Sequence, residues 1–176
     1  MKRIPFSPAF AKLTIASLDD HDVEVESHYN PHELAIDKQI AWQDKPRRDD
    51  IELTGTPKRS MSIELLFDGF ERSASVAPEI AILEKLSDIR TDVPPGEHHR
   101  RPHHCVVVWG DRGIRPFRCV IEGLTVKYTM FDRLGMPLRA SCTVKLREAP
   151  LRDDGVAGSR VAARTSDRAQ KAGFTG

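Results

Sequence analysis

The segment EHHRRPHHC, residues 97–105, is where this chain comes nearest to reactive chemistry. It gathers His98, His99, His103, His104 and Cys105, and imidazole and thiolate both suit a zinc ion. Neighbours on an extended chain point to opposite sides, however. A tetrahedral site draws instead on ligand pairs with short spacers and a second pair elsewhere, and the chain has no second pair. With Arg100, Arg101 and Pro102 in the same stretch, the favoured reading is a solvated cationic loop, and no metal is expected.

Other reactive patterns are missing from the sequence. It has no G-x-S-x-G elbow, no H-E-x-x-H helix and no glycine-rich phosphate loop. LTGTPKRS holds Gly55 and Lys58 but lacks the second glycine and the Gly-Lys-Ser/Thr run. Asp19, Asp20 and Asp22 with His21 sit between two strand-like runs, where aspartate serves turn chemistry. Formal net charge is +1, from 27 basic and 26 acidic residues, so no global field draws the chain to nucleic acid or an anionic membrane. The basic spots KPRR, PKRS, HHRRPHH and RVAARTSDRAQK come without a row of aromatics for base stacking. No enzyme activity, no cofactor and no specific nucleic-acid ligand are expected.

What the sequence does specify is strands. Val23, Val25, Ser27 and Tyr29 alternate with polar neighbours, as do Leu34, Ile36, Ile40 and Trp42, with Lys38 the exception. Met61, Ile63, Leu65 and Phe67 repeat the pattern, and so do Leu124, Val126, Tyr128 and Met130. Leu138, Ala140, Cys142, Val144 and Leu146 give the clearest case. A period of two means one buried face and one polar face. HCVVVW, 104–109, is apolar on both faces and reads as a central strand or one with an interface on its second side. GDRG then predicts a hairpin turn, and Pro116 marks an edge, a bulge or a strand start. One helix is predicted over APEIAILEKLSDI, with Ile80, Leu83 and Leu86 as its apolar stripe, extended by Ile82 and Ile89.

Residues 43–60 read as a charged connector, and 151–176 as a small, polar, basic tail that has no core of its own. Residues 1–150 are therefore expected to form one domain. The 176-residue length is enough for a core without disulfides. Cys105, Cys119 and Cys142 fall inside strand-like runs as small apolar side chains, and an odd count argues against a secreted disulfide framework. The start MKRIPFSPAFAKLTIASL is broken by Pro5, Pro8 and Lys12, a poor signal peptide, and no run reaches the roughly 20 apolar residues of a membrane span. Assembly in a reducing cytoplasm without membrane insertion is expected.

Four segments in order, VEVESHYNPHELAIDKQIAW, RSMSIELLFDGFE, VVVWGDRGIRPFRCVIEGLTVKYTMFDRLGMPLRA and SCTVKLRE, resemble the tube-type proteins of contractile injection systems, the phage-tail-like particles that drive a rigid tube into a target cell. The residues that carry the resemblance are Asn30 and Pro31 at a turn, Trp42 at a strand end, Trp109-Gly110, and Gly135, Pro137 and Arg139 in a G-x-P-x-R-A hairpin. The likeness spans about Lys12 to Glu148. It implies a mainly β fold, an antiparallel barrel or sandwich of the phage tail-tube type with one α-helix. It also implies a baseplate tube initiator or adaptor, a homo-oligomer forming a hexameric ring between spike hub protein and inner tube protein. Relatives often carry a peptidoglycan-binding LysM module after this domain. Here only the basic tail follows Pro150, and that tail is expected to meet another baseplate or sheath subunit.

A tube needs a polar face toward its lumen, and the rows Thr125, Lys127, Thr129 and Ser141, Thr143, Lys145 are the candidates, with ordinary solvent as the alternative. A ring also needs sheet edges left open for neighbours. The rival readings are a stand-alone β-barrel module binding a ligand or peptide, and a metal-dependent enzyme built on the histidine stretch.

Overall fold

A computed structural model describes residues 11–40, 42–44, 51–53, 55, 58–91, 100–110 and 114–149. The chain begins with β1 (Leu13–Ser17), β2 (Glu24–Glu26) and β3 (Leu34–Gln39). The short strands β4 (Trp42–Asp44) and β5 (Ile51–Leu53) precede β6 (Lys58–Asp68) and the helix α1 (Ala77–Ser87). The long strands follow: β7 (Cys105–Trp109), β8 (Phe117–Phe131) and β9 (Pro137–Glu148). Seven of them make one sheet in the order β2-β1-β7-β8-β9-β6-β3, and β4 pairs only with β5. Every pairing is antiparallel. The expected mainly β architecture with one α-helix is the observed one.

The sheet curls strongly, and two side chains prove it. Asn30 hydrogen-bonds β1 at Leu13, while His28 hydrogen-bonds the end of β6 at Asp68. In a flat sheet, β1 and β6 stand four spacings apart, about 19 Å at roughly 4.8 Å per spacing. Residues two positions apart reach both only if the sheet bends round to bring its ends together. Among the described residues the ladder itself does not close, because β2 and β3 remain its two outer strands.

The concave side holds the core. The alternation in β9 puts Ala140, Cys142, Val144 and Leu146 at 0% exposure, facing Met61, Ile63, Leu65 and Phe67 of β6. α1 lays Ile80, Leu83 and Leu86 over this surface and packs against β8 and β2. Its start is fixed by the Ser75 hydroxyl accepting the Ala77 N–H and by Pro78 in the first turn, where no N–H is needed. β7 lies inside the sheet between β1 and β8, and both its faces are covered. Cys105 and Val107 join the main core, while Val106 and Val108 form a second cluster with Ala16 on the reverse face.

Several expectations need revision. Ile89 does not extend the helical stripe; it lies beyond Ser87 in extended chain and is 59% exposed. The charged connector 43–60 is partly strand, since β5 falls within it and β6 starts at Lys58. Tyr29 leaves the buried row of Val23, Val25 and Ser27 and stands 52% exposed, because β2 has already ended at Glu26. Pro116 immediately precedes β8, a strand start as the sequence allows.

Candidate functional site

The Asn-Pro stretch carries the chain from one outer strand of the sheet, β2, to the other, β3. Asn30 makes the crossing possible. Its Oδ1 accepts the Leu13 N–H at 3.0 Å and its Nδ2 donates to Ala11 O at 2.9 Å. The side-chain amide therefore stands in for the backbone of a strand partner after β2 has stopped. Pro31, half-buried, turns the chain onward. His28 fastens the other side: Nδ1 accepts the Asp68 N–H at 3.1 Å, and Nε2 lies 3.1 Å from Oε1 of Glu79 on α1. Edge-on contact with the Phe67 ring completes its setting.

The histidine stretch is structural where it is described. His98 and His99 lie outside the described residues. Ser17 Oγ and His103 Nδ1 are 2.8 Å apart, a pairing that on the surface would invite comparison with a nucleophile. Both residues are buried, and the same oxygen accepts the Asp19 and Asp20 N–H groups, so the hydroxyl organises a turn. Asp19 is the ionic hub beside it. Arg101 grips it through two hydrogen bonds of 2.8 and 3.0 Å, His104 N donates at 2.7 Å, and Arg90 adds a contact at 3.3 Å. Burial opposes ionisation of Asp19, yet these donors and charges outweigh it and hold its carboxyl below the ordinary value of 3.8. Among the described residues no three His, Cys, Asp or Glu side chains converge to hold a metal.

Cys105 and Cys119 face each other across β7 and β8 as free thiols, and Cys142 is free as well. Burial pushes Cys105 up to about 12 and Cys142 up to about 11, so all three act as core filling and not as nucleophiles.

The polar residues singled out in β8 and β9 do share a surface. Thr125 pairs with Thr143, Lys127 with Ser141, and Lys145 sits opposite Gly123. The rows continue across β6, where Thr143 meets Glu64 and Lys145 meets Ser62, and on to β3, where Ser62 meets Ala35. The convex side of β8-β9-β6-β3 is thus one continuous surface, mostly polar. Thr129 departs from the row, because it falls in the register shift between Tyr128 and Met130.

Among the described residues both borders of this four-stranded surface are open: β3 pairs only with β6, and β8 pairs with β7 only over Phe117–Cys119. From Val120 to Phe131 the β7 side of β8 has no strand partner among the described residues. Apolar side chains reach past the core at both borders. On β3 the core-side Ile36 is 46% exposed, followed by Ile40. On β8 Tyr128 is exposed beside α1, where partial burial and the nearby Glu84 carboxylate push its hydroxyl up, and Phe131 rests against its ring.

The remaining motif residues are positional. Trp109 ends β7, half-buried against the core, and Gly110 takes φ +62 beside Ala11, where a Cβ would come within 3.1 Å of Ala11 Cβ. Residues 111–113 of the expected turn lie outside the described residues. Trp42 is 60% exposed at the start of β4. Gly135 takes φ +84 in the β8–β9 turn, Pro137 opens β9, and Arg139 clamps Asp68 with contacts of 2.9 and 2.6 Å. Sequence reading missed the Asp19, His28 and Asp68 networks, whose partners lie dozens of positions away. Only Asp20 behaves as the turn chemistry predicts, capping the Asp22 N–H at 3.1 Å.

A family model described as contractile injection system tube protein matches residues 9–157. The chain belongs to that family. Its membership makes this tube protein part of a contractile injection particle, supports a structural role, and implies assembly with other components of the particle. No curated protein matches the chain. No helix among the described residues of the tube protein is long and apolar enough to cross a membrane.

Proposed function

We propose that this tube protein forms a hexameric ring at the base of the tube, as the initiator or adaptor between spike hub and inner tube. The observation that carries the ring is the pair of open borders on one polar surface. β3 of one copy, laid beside Val120–Phe131 of the next, would continue the ladder and cover Ile36, Ile40, Tyr128 and Phe131 together. Such a contact joins two different surfaces, so it propagates head to tail and closes as a ring when the rotation allows. The row Thr125, Lys127, Ser141, Thr143 and Lys145 then lines the lumen. Residues 1–150 form the assembling domain in this reading, and the basic residues 151–176 reach a neighbouring baseplate or sheath subunit.

Sedimentation and negative-stain microscopy of the full chain test the ring. Concentration-dependent closed rings are expected, with Ile36→Asp and Ile40→Asp variants folded but monomeric. A wild-type chain that stays monomeric at every concentration, and binds a peptide or small ligand one to one, refutes the ring and makes the protein a stand-alone binding module. A density map of the intact particle decides the layer: the chain belongs next to the spike, and finding it repeated along the tube would make it an ordinary tube subunit.

A further inference from the structure

The turn between β8 and β9 is built to keep its shape. Asp132 Oδ1 accepts both the Leu134 and Met136 N–H groups at 2.8 Å. The Asp132 N–H reaches Met136 O at 2.9 Å, and Gly135 N–H returns to Asp132 O at 3.2 Å. At the base, Arg139 clamps Asp68, and the backbone of Gly69 bonds Leu138. This stiff tip holds out Leu134, 93% exposed, the most exposed of the large apolar side chains among the described residues. Beside it stands Arg133, exposed and without an ion pair among the described residues. A single exposed leucine is unremarkable on a loose loop. Here six backbone and side-chain restraints serve a turn whose apex is apolar.

The same chain carries a recess of complementary character. β3 stops pairing with β6 at Leu34↔Ile63, so Glu64 and Leu66 lie beyond the end of that ladder. The crossing segment around Tyr29 arches past them and leaves a cleft of about 610 Å³, within the roughly 300–1,000 Å³ range of binding clefts. Its apolar lining is Tyr29, Pro31 and Leu66. Its charge is acidic: neither Glu33 nor Glu64 has a hydrogen bond or ion pair among the described residues. Lys12 is already committed, donating to His28 O at 2.6 Å and lying over the Tyr29 ring.

We infer that the Arg133-Leu134 tip of one copy seats in the Tyr29 cleft of another, leucine against Tyr29, Pro31 and Leu66, and Arg133 against Glu33 and Glu64. Within one copy β9 stands between β8 and the β6 residues Glu64 and Leu66 that line the cleft, and the Arg139–Asp68 clamp fixes the hairpin base so that the tip does not fold back over it. The tip ends the strand whose open border forms the ring contact, so this docking extends that surface. It rests on the self-assembly reading and names a second contact within it.

Assembly of the full chain measured by sedimentation, with circular dichroism and thermal melting as fold controls, tests it. Leu134→Asp, Arg133→Glu and the pair Glu33→Arg with Glu64→Arg should melt as the wild type does while weakening assembly at least tenfold. Arg133→Glu combined with the two reversed glutamates should restore assembly. Leu134→Cys with Leu66→Cys should give disulfide-linked multimers under mild oxidation, since the native thiols are buried. Tip variants that assemble as well as the wild type, or a charge swap no better than its parents, overturn the docking while leaving the ring standing. A wild type that never self-associates overturns both.

Discussion

His28 Nε2 lies 3.1 Å from Glu79 Oε1, and this one contact ties the segment that crosses between the outer strands to the helix over the core. The imidazole also accepts the Asp68 N–H, so a single side chain joins three elements that no ladder joins. The second carboxylate oxygen of Glu79 is buried without a hydrogen-bond partner, which raises the cost of removing His28. His28→Ala should lower unfolding free energy by about 1–3 kcal/mol, read from urea denaturation. An unchanged midpoint would show that the seam is held by other means.

Acid should loosen the end of the fold around Asp19. The donors on Asp19 outweigh its burial, and Asp68 is held low chiefly by the Phe70 N–H and by Arg139. Both carboxyls ionise more easily folded than unfolded. Their contribution is therefore complete above the ordinary value of 3.8 and fades as pH falls through the depressed folded values. Asp19→Asn should be less stable at pH 7 and show a shallower loss of stability below pH about 4. Parallel pH–stability curves for the variant and wild type would contradict this.

The thiols should be silent in the native protein. With Cys105 pushed up to about 12 and Cys142 up to about 11, thiolate is scarce at pH 8 and access is blocked. Ellman's reagent should detect no fast-reacting thiol until denaturant is added, and then all three cysteines. Rapid native labelling of any one would mean the sheet opens there.

In the core, Leu146→Ala should cost about 2–5 kcal/mol, because Leu146 is at 0% exposure and the cavity cannot collapse between paired strands. Val144→Asp places an unpartnered charge at an equally buried position and should prevent folding, seen as lost near-ultraviolet dichroism. A folded Val144→Asp protein would place that face toward water.

Alternation made β9, most of β6 and the helical stripe of Ile80, Leu83 and Leu86 legible, because burial on one side leaves a period that needs no partner to be read. The doubly apolar β7 announced its inner position by lacking that period, since both its faces are covered. The order of the strands was not legible: nothing local in Ser27–Glu33 says that it joins opposite borders of the sheet. The polar row on β8 and β9 could be listed from its spacing, but its extension over Glu64 and Ser62 depends on register. Asp19 looked like one more turn aspartate beside Asp20, since Arg101 and Arg90 are distant in the chain.

One irregularity in β8 has consequences out of proportion to its size. Before it, Cys119 and Ile121 face inward; after it, Leu124 and Val126 do, because the ladder skips Glu122 and resumes at Gly123 opposite Lys145. Odd numbers hand over to even ones at that spot. Deleting Glu122 would restore an unbroken ladder, Ile121 opposite Leu146 and Gly123 opposite Lys145, with the threonines and lysine still outside and the leucine and valine still inside. What the supernumerary glutamate changes is the parity of the numbering, so two halves of one strand with opposite odd-even patterns present a single inner face.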